Sequence, residues 1–159
     1  MKNEFLMSQI IKSKELDINL DENTPWLKSL LDELCEGLTN NDYQQGEELP
    51  CISFVGELKS DEDDKYKDYA TLIGTLEITY YTLCARSGTV ILDYLDASVE
   101  AAFLNSSLKE ALGLEEDVDI FLTDRAYELY FHEKGKLDIK PVLSEYAYVN
   151  KNPYPALES

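Results

Sequence analysis

The spacing of apolar residues changes several times along the chain, and each change marks an element. Phe5, Leu6, Met7, Ile10 and Ile11 are followed by Leu16, Ile18 and Leu20, which alternate with Asp17 and Asn19. Alternation of this kind suits half-buried strands, so residues 3–20 read as one or two short strands. Thr24 and Pro25 then carry the residue types of a helix start, an N-cap followed by a proline that loses no helical hydrogen bond. Leu27, Leu30, Leu31, Leu34 and Leu38 follow at three- and four-residue spacing. They predict a helix over 25–38 with one apolar stripe, stopped by Gly37, Asn40 and Asn41.

Residues 42–50 read as a polar loop. Cys51 to Val55 begins a strand, which the run Asp61-Glu62-Asp63-Asp64 is expected to break as a solvated loop. That run is no calcium loop: counted from Asp61, the sixth residue is Tyr66 rather than glycine and the twelfth is Leu72 rather than glutamate. Tyr69 to Ala85 and Thr89 to Phe103 read as a long hairpin turning at Ser87-Gly88. Ala70, Leu72, Leu76, Ile78 and Tyr80 form the apolar face of its first strand, and Leu95, Ala97, Val99, Ala101 and Phe103 that of its second. Gly74 predicts a bend or bulge. A short helix capped by Ser106 or Ser107, an acidic loop at 114–119, strands at 120–122 and 126–131, a turn at Gly135 and a helix from Asp138 to about Tyr148 complete the pattern. The fold class expected is α+β: one domain over 1–159, with a bent antiparallel sheet, open or partly closed toward a barrel, and two main helices packed on it.

Charge alters what such a domain can touch. The chain of 159 residues carries 32 Asp plus Glu against 14 Lys plus Arg, a formal charge of -18. The excess runs through the whole chain rather than sitting in a tail. It serves solubility; it also repels a naked phosphate backbone and favours basic partners such as ribosomal proteins. The only mildly basic stretch holds Arg125, Lys134, Lys136, Lys140 and Lys151, so any RNA contact is expected there. No apolar run reaches the roughly 20 residues of a membrane span, and Met1-Lys2-Asn3-Glu4 does not open a secretory signal. Cys35, Cys51 and Cys84 are odd in number and widely spaced, which fits a reduced, cytoplasmic setting.

Candidate chemistry is sparse. Structural zinc needs four ligands in close pairs, and these cysteines with the single histidine, His132, do not supply them. A serine or cysteine nucleophile needs a histidine base; His132 lies beside a turn, where a surface histidine is the plainer reading. There is no glycine-rich phosphate loop. The 11 tyrosines mostly lack neighbouring bases, so they read as strand formers. No metal, no cofactor and no enzymatic activity are expected.

One pattern goes further. Gly74-Thr-Leu-Glu-Ile-Thr-Tyr-Tyr-Thr-Leu-Cys84-Ala85-Arg86-Ser87-Gly88 precedes a strand with Val99-Glu-Ala-Ala-Phe103. Tyr127-Glu128, Gly135-Lys-Leu137-Asp138-Ile139, Val142-Leu143-Ser-Glu145 and Pro153 follow. Over residues 50–155 this resembles the YceD family, bacterial and plastid proteins associated with accumulation of large-subunit ribosomal RNA. That family has a Cys-x-Arg-Cys element between strands and an "ID-L" segment leading into an acidic helix; residues 1–48 would match its variable first part. The resemblance assigns partner binding to Cys84, Arg86, Asp138 and Glu145. The chain departs from it at Ser87, where the family has its second cysteine, and in having no cysteine after Cys84. Arg86 either contacts a partner or pins the helix to the sheet through Asp138 or Glu145. The function implied is a non-enzymatic ribosome-biogenesis factor supporting 23S ribosomal RNA accumulation through a basic protein. The alternative is an acidic adaptor, or a nucleic-acid-mimicking inhibitor of a basic protein.

Overall fold

The computed structural model describes the chain except residues 1–2, 40, 44–48, 115–118, 123–124 and 156–159. The elements follow the apolar periods closely. β1 (Glu4–Leu6) and β2 (Ser13–Asn19) flank a single 3-10 turn, and α1 (Pro25–Leu34) follows. β3 (Cys51–Asp63), β4 (Lys67–Leu83) and β5 (Val90–Asn105) are long. α2 (Leu108–Ala111), β6 (Asp119–Phe121), β7 (Ala126–His132), β8 (Lys136–Asp138) and α3 (Lys140–Asn150) complete the order. The main sheet has six strands in the order β2-β3-β4-β5-β7-β6, and β1 pairs with β8 in a separate two-stranded sheet. This is a mixed α+β fold, and the sheet is not closed into a barrel.

Several expectations need correction. The sheet is not purely antiparallel, because β5 pairs with β7 in parallel, Phe103 opposite Tyr130. A parallel pair needs a crossover of a dozen or more residues, and the segment between the two strands, with α2 and β6 in it, provides one. α1 ends at Leu34, since Glu36 and Gly37 have φ of 51° and 82°; Leu38 packs against the core from beyond the helix. Thr24 stands at the N-cap, but its hydroxyl accepts from Asp21 N–H at 2.9 Å and closes the preceding turn instead of capping the helix. The acidic run 61–63 does not break β3. Those residues extend past β2 on a two-stranded ribbon with β4, where the carboxylates stay hydrated while the backbone remains paired. The expected acidic loop at 114–119 lies largely outside the described residues.

One face of the sheet carries the main core. Leu27, Leu30, Leu31 and Leu34 of α1 and Val142, Leu143 and Ala147 of α3 pack onto the even positions of β4 and the odd positions of β5 predicted to be apolar. A second, smaller core lies under the opposite face at the far end of β5, where Tyr69, Ala102, Leu104, Ile120, Tyr127 and Leu129 meet. Alternation explains both, because Ala101 and Phe103 enter one core and Ala102 and Leu104 the other.

Gly74 does not mark a bulge, since the β3–β4 and β4–β5 registers run without a slip. It faces Gly56 across the ladder, and the fully buried Phe54 ring lies on the pair. A Cβ on Gly74 would sit 2.5 Å from the Val55 carbonyl oxygen and 2.6 Å from Phe54 Cζ. Alanine normally suits a strand better than glycine. Here Gly74→Ala is expected to cost about 1–3 kcal/mol through overpacking, read as a lower urea midpoint.

Lys151, placed by sequence in a basic stretch, is part of this packing. Its ammonium donates to Leu34 O at 3.2 Å, pairs with Glu36 at 3.3 Å and lies over the Tyr80 ring, 5.4 Å from its centroid. The side chain is only 16% exposed. It fastens the end of α3 to the last carbonyls of α1, where a cation is favoured. Lys151→Ala is expected to cost about 1–3 kcal/mol, with the loss visible in the same denaturation experiment.

Candidate interaction surface

The residues singled out by sequence fall into structural roles more than into one site. Cys84 is buried at the β4–β5 turn, where its N–H donates to Thr89 O at 2.8 Å and its carbonyl accepts from Gly88 N–H at 2.8 Å. The adjacent Ala85 N–H donates to Pro155 O, so the C-terminal segment holds this corner. Asp138 accepts from Asn3 Nδ2 at 2.8 Å and from Lys140 N–H at 3.1 Å, joining the N-terminal strand to the start of α3. Glu145 accepts from the Tyr130 hydroxyl at 2.8 Å and pins α3 to β7. Arg86 is exposed in the β4–β5 turn and, among the described residues, pairs with neither Asp138 nor Glu145.

The basic residues do not converge either. Arg125 pairs with Glu100 at 3.4 Å and Lys136 with Glu4 at 3.0 Å. Lys134 is exposed in the turn after β7, at the Asn105 end of the sheet, while Lys140 and Lys151 flank opposite ends of α3, roughly 16 Å apart at 1.5 Å per residue.

His132 is buried, not on the surface as its place beside a turn suggested. It lines a cleft of about 600 Å³ with Met7, Asp61, Asp68, Asn105 and Lys134. Nδ1 accepts from Gly135 N–H at 3.2 Å, which leaves the proton on Nε2, facing Asp68 O at 3.4 Å. Both nitrogens are thus held by backbone, and burial lowers the imidazole pKa despite Asp68. Such a group stabilises the fold fully above its unfolded pKa of about 6.5. That stability is lost as pH falls toward and through the lower folded value. Stability is therefore expected to fall as pH drops below about 6.5, and the fall to shrink in His132→Gln, as measured by urea titrations on both sides of that pH.

Tyrosine hydroxyls hold Asp93 and Glu145 against the protein. Tyr80 donates to Asp93 at 3.0 Å, and the Tyr146 hydroxyl donates to Glu100 O at 3.0 Å. Burial first, and the neighbouring carboxylates after it, raise the pKa of Tyr80 and Tyr130, so both stay protonated donors. The composition shows many tyrosines and many acids, but these pairs form only once the β4–β5 register and the packing of α3 on the sheet are set.

What sequence reasoning missed is the other face of β2–β5. The positions that alternate with the core row there carry Glu15 and Asp17 on β2, Glu57 on β3, Glu77 on β4, and Asp96 and Glu100 on β5. Register aligns them in rows: Glu15, Glu57, Ile73 and Glu100 run across four strands, as do Asp17, Val55, Thr75 and Ser98. Val55 and Tyr94 stand 57% and 56% exposed among these acids. Glu15, Asp17, Val55, Glu57, Thr71 and Ile73 line a depression of about 800 Å³. Lys59 on the face pairs with Glu57 at 3.7 Å, and Arg125 reaches in from the β6–β7 turn to Glu100. Part of the signal was in the sequence: Asp17, Glu77, Asp96 and Glu100 fall on positions that alternate with the apolar rows, among Thr75, Tyr94 and Ser98.

Among the described residues no group of three or more His, Cys, Asp or Glu is placed to hold a metal ion, and no helix is long and apolar enough to cross a membrane. No family model matches the chain, and no curated protein or solved structure shows significant similarity to it.

Proposed function

We propose that this chain is a non-enzymatic, cytoplasmic docking protein that holds a basic protein against the open face of β2–β5. The observation that carries this reading is the composition of that face: carboxylates from four adjacent strands surround the exposed side chains of Val55 and Tyr94. Acids of one sign steer a cationic partner and reject polyanions. The apolar and aromatic side chains between them give a docked partner area to bury. Arg86, exposed at the β4–β5 corner, offers a further contact outside the face.

The resemblance to the YceD family supplies the setting. In it, the chain supports accumulation of 23S ribosomal RNA indirectly, by binding a basic ribosomal or ribosome-assembly protein. The charge of -18 supports the indirect route, since RNA binding grows from counterion release at clustered cations. The same acidic face supports a second reading, an adaptor or nucleic-acid-mimicking inhibitor acting on a basic protein outside the ribosome.

Depletion separates the two. The ribosome reading expects the ratio of large- to small-subunit RNA to fall on depletion, and an unchanged ratio contradicts it. Charge reversal at Asp17, Glu57 and Glu77 is expected to release captured basic proteins in a lysate pull-down at low salt. Reversal at Lys134, Lys136 and Lys140, away from the face, is expected to leave capture intact.

A further inference from the structure

The acidic face ends at a strand edge, and the edge has its own chemistry. β2 is the terminal strand of the six-stranded sheet, with β3 on its inner side. Its register with β3 places Leu16 opposite Gly56 and Ile18 opposite Phe54. The same register continues at both ends of the strand, where Ser60 N–H donates to Lys12 O at 3.1 Å and Leu20 N–H to Ile52 O at 3.1 Å. In an antiparallel pair the residues that exchange both bonds alternate with residues whose backbone points away. The even residues of β2 therefore bond inward, and the backbone N–H and C=O of Glu15 and Asp17 point outward. At the ends of this edge the outward groups are already used: Ser13 N–H donates to Ile11 O and the Thr24 hydroxyl to Asn19 O. Between them, Glu15 and Asp17 are exposed, and no described strand lies outside them.

The two periods coincide. The residues whose backbone points outward are the residues whose side chains lie on the acidic face. An extended segment added at this edge would form backbone bonds to Glu15 and Asp17. Every second side chain of that segment would project over the same face, beside their carboxylates and the depression at Val55. Backbone pairing gives affinity in strand addition, and alternate side chains give specificity.

We propose that β2 accepts an extended, basic segment of a partner protein as a seventh strand, with Lys or Arg at alternate positions on the acidic face. This deepens the docking function proposed above and rests on it. A charged edge resists pairing with another copy of itself, because like charges would lie opposite each other. A lysine- or arginine-bearing strand turns the same charges into attraction.

The probe is a nine-residue peptide alternating lysine with valine or threonine, fluorescently labelled, titrated into the full chain. A second peptide of the same sequence carries N-methyl groups on its lysines, which keeps its charge but blocks the backbone edge that would pair with β2 while lysine lies on the acidic face. The unmethylated peptide is expected to bind at least tenfold more tightly, and to slow hydrogen exchange of the Glu15 and Asp17 amides. Asp17→Pro removes the outward N–H at an edge position where proline is tolerated, while Asp17→Asn removes only the charge. The proline variant is expected to weaken binding more than the asparagine variant, with circular dichroism verifying that both fold. Equal binding of the two peptides with unprotected β2 amides would overturn strand addition and leave the docking face standing. No binding of either peptide at low salt would overturn both.

Discussion

The contact of the Phe54 ring with the backbone of Gly56 and Gly74 sets how closely the helices approach the sheet. Register places Leu16, Gly56, Gly74 and Val99 in one row across four strands. With no Cβ on the two central strands, the ring lies on backbone rather than above side chains. Its flanks are closed by Leu16 and Val99, both buried, and α1 packs over β3 and β4. Burying a phenylalanine is worth about 1.5–3 kcal/mol, and that gain is available here only because two glycines stand opposite each other. α1 and α3 pack on this face; on the other face α2 packs at the far end of β5 through Leu108, and Val55 and Tyr94 stand exposed elsewhere on it.

Charge follows the same division. On the helix side, acids are consumed by donors: Asp93 by Tyr80, Glu145 by Tyr130, Asp138 by Asn3. Lys151 is drawn in between the ends of α1 and α3. On the open side Tyr94 lies beside Glu77 and Asp96, and its hydroxyl pKa is raised by desolvation and then by these two acids. Part of the acid excess thus lies on one sheet face, and the proposed recognition site is that face rather than the cleft at His132.

Much of the architecture was legible in the sequence because alternation and three-to-four spacing report burial directly. The apolar rows of β4 and β5 and the α1 stripe are where the pattern places them. Polarity misled where it was taken for irregular structure: Asp61, Glu62 and Asp63 are exposed but paired in a strand. The parallel β5–β7 pair was hidden because pairing direction depends on a crossover, and no local signal records that. His132 was misplaced since a turn neighbour, Gly135, supplies the hydrogen bond that allows its burial. The acidic face was written in the alternation, yet it becomes a face only when four strands are set in register.

The central claim is that the open face of β2–β5 binds a basic protein. Amide chemical-shift mapping of the isotope-labelled chain, titrated with total large-subunit ribosomal proteins at low salt, tests it most directly. The account predicts shifts concentrated at Glu15, Asp17, Val55, Glu77, Tyr94 and Asp96, reversed by added salt. Shifts confined to the His132 cleft or to the Lys134–Lys136 turn, with the open face silent, would contradict it.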